Sequence, residues 1–296
     1  MLIVACTTAW AHWSTIDILV NRWQWSMDYS AGQLVPLVAL FFVWRERKTL
    51  TWHSMVPCWS GGLALVLLAQ SLRLFALFFG IGSGDPYTLV LTIAGLLLMV
   101  AGREIFRRLL WVLLFLFLMV PLPTPVHNVI AGPLQRLATT GSVFLLEAFG
   151  TRVTQQGNVV MLGDNTPMAV AEACSGLRML TAFIIVAAFI AYMVKRPRWQ
   201  KGIVLASSIP IAVICNIIRI SLTAMIMLYV SVELGEKFFH DFAGLVMMPA
   251  AVSLIFSEIW LMDRLIVPDS ESRSGRDSGS TRPAGGVVVR KRTSTS

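Results

Sequence analysis

The sequence predicts an all-α integral membrane protein, a polytopic bundle of about eight transmembrane helices with a small extracytoplasmic insertion. Three observations carry this reading. Hydrophobic residues make up 56% of the 296-residue chain and charged residues only 14%. A soluble domain of that length covers its surface with about a quarter charged residues, so the apolar excess must face lipid. Long apolar runs recur along the chain, and Lys and Arg are gathered in short clusters between them. The net charge of +8 therefore serves orientation and gives no reason to expect a nucleic-acid partner.

Six runs are clear, at 57–80, 87–102, 109–126, 174–194, 202–223 and 240–262. Two weaker runs precede them, at 2–20 and 30–44. The first has no basic flank on its N-terminal side, so it reads as a retained span or a truncated start rather than a cleaved leader. Arg45, Arg47 and Lys48 follow the second run, and Arg103, Arg107 and Arg108 follow the fourth. Lys195, Arg196, Arg198 and Lys201 follow the sixth, and an Arg-rich tail follows the eighth. Every second loop is basic, which places those loops and both termini in the cytoplasm.

The opposite loops lie outside, and the longest covers 127–173. Its first part, 129–149, reads as an amphipathic helix in the interface, marked by Gln135, Arg136 and Glu147. Its second part, 157–170, reads as a β-hairpin, with Val159 and Met161 alternating ahead of Gly163-Asp164-Asn165. Pro121, Pro123 and Pro125 break the chain where it leaves the membrane. Residues 1–267 thus form one transmembrane domain. The Ser-, Gly- and Arg-rich segment 268–296 cannot bury a core and is expected to be a disordered basic cytoplasmic tail.

The reactive residues fall at one depth. Cys174 opens the sixth run, Arg219 lies towards the outer end of the seventh, and His240 opens the eighth. Of the other cysteines, Cys6, Cys58 and Cys215 read as small apolar fillers, and no disulfide is expected. His12 and His127 read as interfacial anchors. No two of the four histidines stand at i,i+4, so no metal site and no cofactor are expected.

Cys174 differs from the fillers because Glu172, Ser175 and Gly176 surround it at an expected helix start, where the dipole and free N–H groups favour a thiolate. Arg219 stands among Ile217, Ile218, Ile220 and Leu222. A charge in that setting is costly and points to function. Arg178, one turn below Cys174 on the expected helix, is a supporting residue with Glu172 and Asn216. A thiol, an imidazole and a guanidinium together suit acyl transfer. The thiolate attacks a carbonyl to give a thioester, the imidazole moves protons, and the guanidinium stabilises the oxyanion.

Three pieces of sequence resemble the exosortase/archaeosortase family of membrane transpeptidases. They are Glu172-Ala-Cys-Ser-Gly-Leu-Arg178, Asn216-Ile-Ile-Arg219, and His240 with Gly244. The resemblance runs from about Trp25 to Met262 and includes the segment 25–36, although relatives often carry histidine where this chain has Ala31. It implies Cys174 as nucleophile with Arg219 and His240 as partners. It also implies a bacterial inner-membrane location, in systems that accompany exopolysaccharide production. The implied substrates are membrane-anchored proteins with a C-terminal sorting signal: a Pro-Glu-Pro-like motif, a span and a basic cluster.

Two other readings stay open. One is a transporter or a handler of lipid-linked carriers with Arg219 as an anion site. Polar residues gathered at one end, and the lack of an internal repeat, argue against alternating access. The other is a non-enzymatic assembly subunit, for which the cysteine is dispensable.

Overall fold

The computed structural model describes residues 2–47, 56–80, 84–157, 159–162, 166–169, 176–238 and 243–265. The tail 268–296 lies outside the described residues. Ten helices and one small antiparallel sheet are described. Among the described residues, four helices are long and apolar enough to cross a membrane. They are α4 (Trp59–Phe78), α5 (Asp85–Leu116, extended by a 3₁₀ turn to Met119), α6 (Thr124–Ala148) and α8 (Arg198–Tyr229). Helix α7 (Leu177–Met193) is apolar but shorter. Helix α4 leaves Leu63, Leu67, Leu74 and Phe78 exposed, a continuous apolar surface of the kind that faces lipid.

The first run, expected as one span, is two helices: α1 (Leu2–Ala11) and α2 (Trp13–Trp25). They meet at His12, and the hydrogen bonds continue through the junction, from His12 N–H to Thr8 O and from Ile16 N–H to His12 O. His12 is only 1% exposed, which corrects its reading as an interfacial anchor. Beside it, Asp85 is buried between two partners. It accepts from Thr15 Oγ1 at 2.6 Å and pairs with Arg73 Nε at 2.8 Å. Arg73 also donates to Ala11 O at 3.1 Å. These bonds fasten the start of the chain to α4 and α5, and the buried Asp85 carboxylate requires such partners.

A 3₁₀ segment (Met27–Gln33) leads into α3 (Leu34–Glu46). The core between α2, α3, α5 and α7 is built on Leu19, Val35, Phe42, Val90, Phe115 and Ile185. Phe42 is fully buried, 5.4 Å from the Phe115 ring and 5.7 Å from that of Phe189.

Helix α5 is not straight. Thirty-two residues of α-helix would extend about 48 Å, yet Tyr87 Oη, near its start, donates to Pro121 O, just past its end, at 3.3 Å. The chain folds back at Gly102, whose φ of 84° and ψ of 177° interrupt the helix. The runs expected at 87–102 and 109–126 are the two arms of this turn. The second arm starts at Arg103 because helix resumes directly after the glycine.

Gly102 also sits against the backbone of Val56, with which it forms an isolated parallel bridge, and a Cβ there would overlap the Val56 carbonyl. Gly102→Ala is therefore expected to destabilise the protein by about 2 kcal/mol or more and to lower its unfolding midpoint in an SDS titration. Gly150→Ala is the control. Its φ is also positive, at 79°, but nothing lies within 4 Å of the added carbon, so its shift should be clearly smaller. Equal shifts would mean that the close approach to Val56 contributes nothing.

Helix α6 starts at Thr124 rather than 129, and by length and composition it qualifies as a span. The expectation from sequence is an interfacial helix over 129–149. Its partners are α8, the sheet and the 3₁₀ segment: Leu146 packs with Val153, Val160, Ile220 and Ala224, and His127 reaches Asp28.

The expected hairpin is present as β2 (Val159–Leu162) and β3 (Thr166–Ala169), paired Leu162↔Thr166 to Val159↔Ala169. Residues 163–165, expected as its turn, lie outside the described residues. A third strand, β1 (Val153–Gln156), adds antiparallel to β2 and was not expected. The buried residues of β2 are Val160 and Leu162. The sequence alternation marks Val159 and Met161 instead, and with a period of two a one-residue shift exchanges the faces.

The chain closes with α9 (Val232–Lys237) and α10 (Ala243–Leu265). Contacts divide the chain after Phe256. The described part of the second unit, 257–265, continues α10 and stacks Arg264 over Trp260 at 4.8 Å.

Candidate functional site

Three of the six expected site residues are described: Arg219, Asn216 and Arg178. Cys174, Glu172 and His240 lie outside the described residues. Helix α7 begins at Leu177, after Gly176 in the left-handed region at φ 79°. No α-helix runs through such a residue, so the expectation that the helix opens at Cys174, one turn above Arg178, is corrected. Arg178 is instead the second residue of α7, half-buried in its first turn. The positive end of the helix dipole and a cation then meet at one helix end, and that end attracts negative charge.

Gly176 links this helix start to α8. A Cβ on it would stand 3.0 Å from Asn216 Nδ2, so only glycine permits both the backbone turn and the approach. Asn216 is 1% exposed, and its Oδ1 accepts from Arg219 Nη2 at 2.8 Å. Arg219 is 4% exposed. The two residues sit one turn apart on the same face of α8, and the Thr223 hydroxyl donates to the Arg219 carbonyl at 2.9 Å. A buried guanidinium is thus aimed by a buried amide that also touches the start of α7. The helix pair is held by Met179, Phe183, Ala212 and Cys215, which bears out the reading of Cys215 as packing. On the other side of α8, Gly141 of α6 lies against Ile217.

A second polar group stands beside the first turns of α7. Thr181 Oγ1 donates to Asp28 O at 3.0 Å, and Asp28 Oδ2 lies 3.3 Å from His127 Nε2. The Tyr29 ring is 6.1 Å from that of His127. Burial pushes the Tyr29 phenol up to about 12, against the opposing pull of the Leu122 backbone, so it stays a neutral hydroxyl at any physiological pH. Trp23 Nε1 donates to Met119 O at 3.0 Å and closes the same end of the bundle.

His127 is therefore a half-buried partner of an acid as well as a residue near a helix end, and the sequence alone gives Asp28 no such role. The only signal available was the segment 25–36, singled out for its resemblance rather than for its charge.

Among proteins grouped by sequence, the family described as Transmembrane exosortase (Exosortase_EpsH) matches residues 23–257. No curated protein and no solved structure shows a significant match.

Proposed function

The chain belongs to the transmembrane exosortase family, and from that premise we propose that it is a cysteine transpeptidase acting on membrane-anchored proteins with a C-terminal sorting signal. The protein is multi-pass, and family membership carries a membrane transpeptidase role. The finer reading places the nucleophile at Cys174, with Arg219 and His240 as its partners. The observation that supports it is the contact chain from Gly176 through Asn216 to Arg219. Cys174 precedes Gly176 by two residues, and two trans peptide steps span at most about 7 Å. That short reach supports a thiol acting beside the buried guanidinium.

In this mechanism the Cys174 thiolate adds to the scissile carbonyl, whose oxygen takes up negative charge facing Arg219. The C–N bond breaks as His240 protonates the leaving amine, and the retained chain is left as a thioester. An acceptor nucleophile then attacks that thioester, gives its proton to His240, and returns the thiolate. The guanidinium, Arg178 and the positive end of α7 all favour the thiolate form.

Eight spans with basic loops inside would set this site at the outer face. Helix α6 would then lie along that face, because His127 at its start and Leu146 near its end both hold elements gathered there.

Co-expression with a protein bearing a Pro-Glu-Pro-like motif, a span and a basic cluster tests the reading. The expected product, detected by mass, is the protein shortened at the motif. Cys215→Ala should give the same yield within about twofold, because its side chain is buried packing and the loss of one sulfur is small. Full-length substrate throughout would instead favour the carrier-handling alternative.

A further inference from the structure

The end of the bundle away from Arg219 carries a second built site. Helix α8 starts there at Arg198, about 30 Å along its axis from Arg219. A cavity of about 690 Å³ opens against that start. Arg45 of α3, Trp111 of α5, Met193 of α7, and Lys195, Arg198 and Lys201 supply its character. Among the described residues, Arg196 adds a fifth cation and Glu46 is the one carboxylate in the lining. That carboxylate accepts from the Tyr192 hydroxyl at 2.8 Å.

The orientation rule explains basic residues in a loop. It does not require Arg45 of α3 to converge on one cavity with the four cations of the α7–α8 connection and the α8 start. The start of α8 also points to an anion. The first turn of α8 contains no acidic residue and its start has no side-chain cap. Arg198 and Lys201 stand in the positive field of a 32-residue helix, an arrangement that is unfavourable until negative charge is bound. The remaining wall is apolar, with Met193, Val194 and Leu205. The volume exceeds that of a single inorganic phosphate and suits a headgroup with its first carbons.

We propose that this cavity binds the phosphate-bearing headgroup of an anionic membrane lipid, with the cations and the α8 terminus on the phosphate and the apolar wall on the glycerol end. Juxtamembrane cations are a known basis for such recognition.

The test uses the full chain purified in a neutral detergent and follows thermal unfolding while short-chain lipid is added. Dioctanoyl phosphatidylglycerol should raise the midpoint saturably by about 5 °C, and dioctanoyl phosphatidylcholine should not. The double variant Lys195→Gln/Lys201→Gln should need about tenfold more phosphatidylglycerol for the same rise. Arg103→Gln/Arg107→Gln removes the same charge from the neighbouring basic cluster and should respond like the parent protein. If phosphatidylcholine works equally well, or the two double variants lose binding equally, the site is overturned in favour of diffuse attraction. If inorganic phosphate reproduces the whole shift with the same lysine dependence, the anion site stands and its lipid source is overturned.

Discussion

Cys174→Ala should lower processing of a sorting-signal substrate by at least about 10³-fold while leaving the amount of enzyme in the membrane unchanged. Removing a nucleophile eliminates the covalent route, and what remains is positioning and electrostatic assistance to water. Helix α7 begins at Leu177, so the substitution changes no residue of that helix. Cys174→Ser is the informative companion. A hydroxyl lacks the acidity that lets Arg178, Arg219 and the helix end stabilise an anion, and it should be nearly as inactive as alanine. Substrate cleaved at the parental rate by either variant would remove the thiol from the mechanism and revive the reading in which the cysteine is incidental.

Arg219→Lys should reduce kcat/KM by about 10²- to 10³-fold, with most of the loss in kcat. The charge is retained, but the planar fork is lost. In the parent protein Nη2 is occupied by Asn216 at 2.8 Å, so the remaining N–H groups are fixed in direction by that bond. A lysine offers one ammonium on a flexible stem, and bonding it to Asn216 pulls it from the position an oxyanion would take. Asn216→Ala should then cost about tenfold in kcat with little change in KM, because the guanidinium is kept but no longer aimed. Steady-state assays in detergent or proteoliposomes check both. A lysine variant of near-parental activity would reduce Arg219 to a source of positive charge, and an unaffected Asn216→Ala would show that the arginine is oriented by other means.

The sequence made the membrane class and most helix positions legible, because apolar length and basic loops are one-dimensional signals. It also marked Arg219, since a lone charge among isoleucines is conspicuous on any face of a helix. Where it misled, the cause was three-dimensional. Gly176 reads as a small residue inside a run, and only its positive φ shows that the helix must begin after it. Gly102 reads as the end of a run, and its contact with Val56 is invisible without the fold. The partners of buried polar groups lie far off in sequence: Asp28 with His127, and Asp85 with Thr15 and Arg73. No period or propensity relates such positions. The sheet was half legible, because the β2–β3 alternation carries a phase that depends on which face α6 and α8 cover.

Disulfide trapping between positions 174 and 216 tests the central juxtaposition most directly. In a protein whose other cysteines are replaced by alanine, Asn216→Cys is paired with the native Cys174 and oxidised in the membrane. A disulfide requires Cα atoms within about 7 Å. Rapid, near-complete cross-linking is expected at 216 and none at Ser208→Cys, about 12 Å further down α8. No bond at 216, with both thiols intact and alkylated by maleimide after unfolding, would contradict the account.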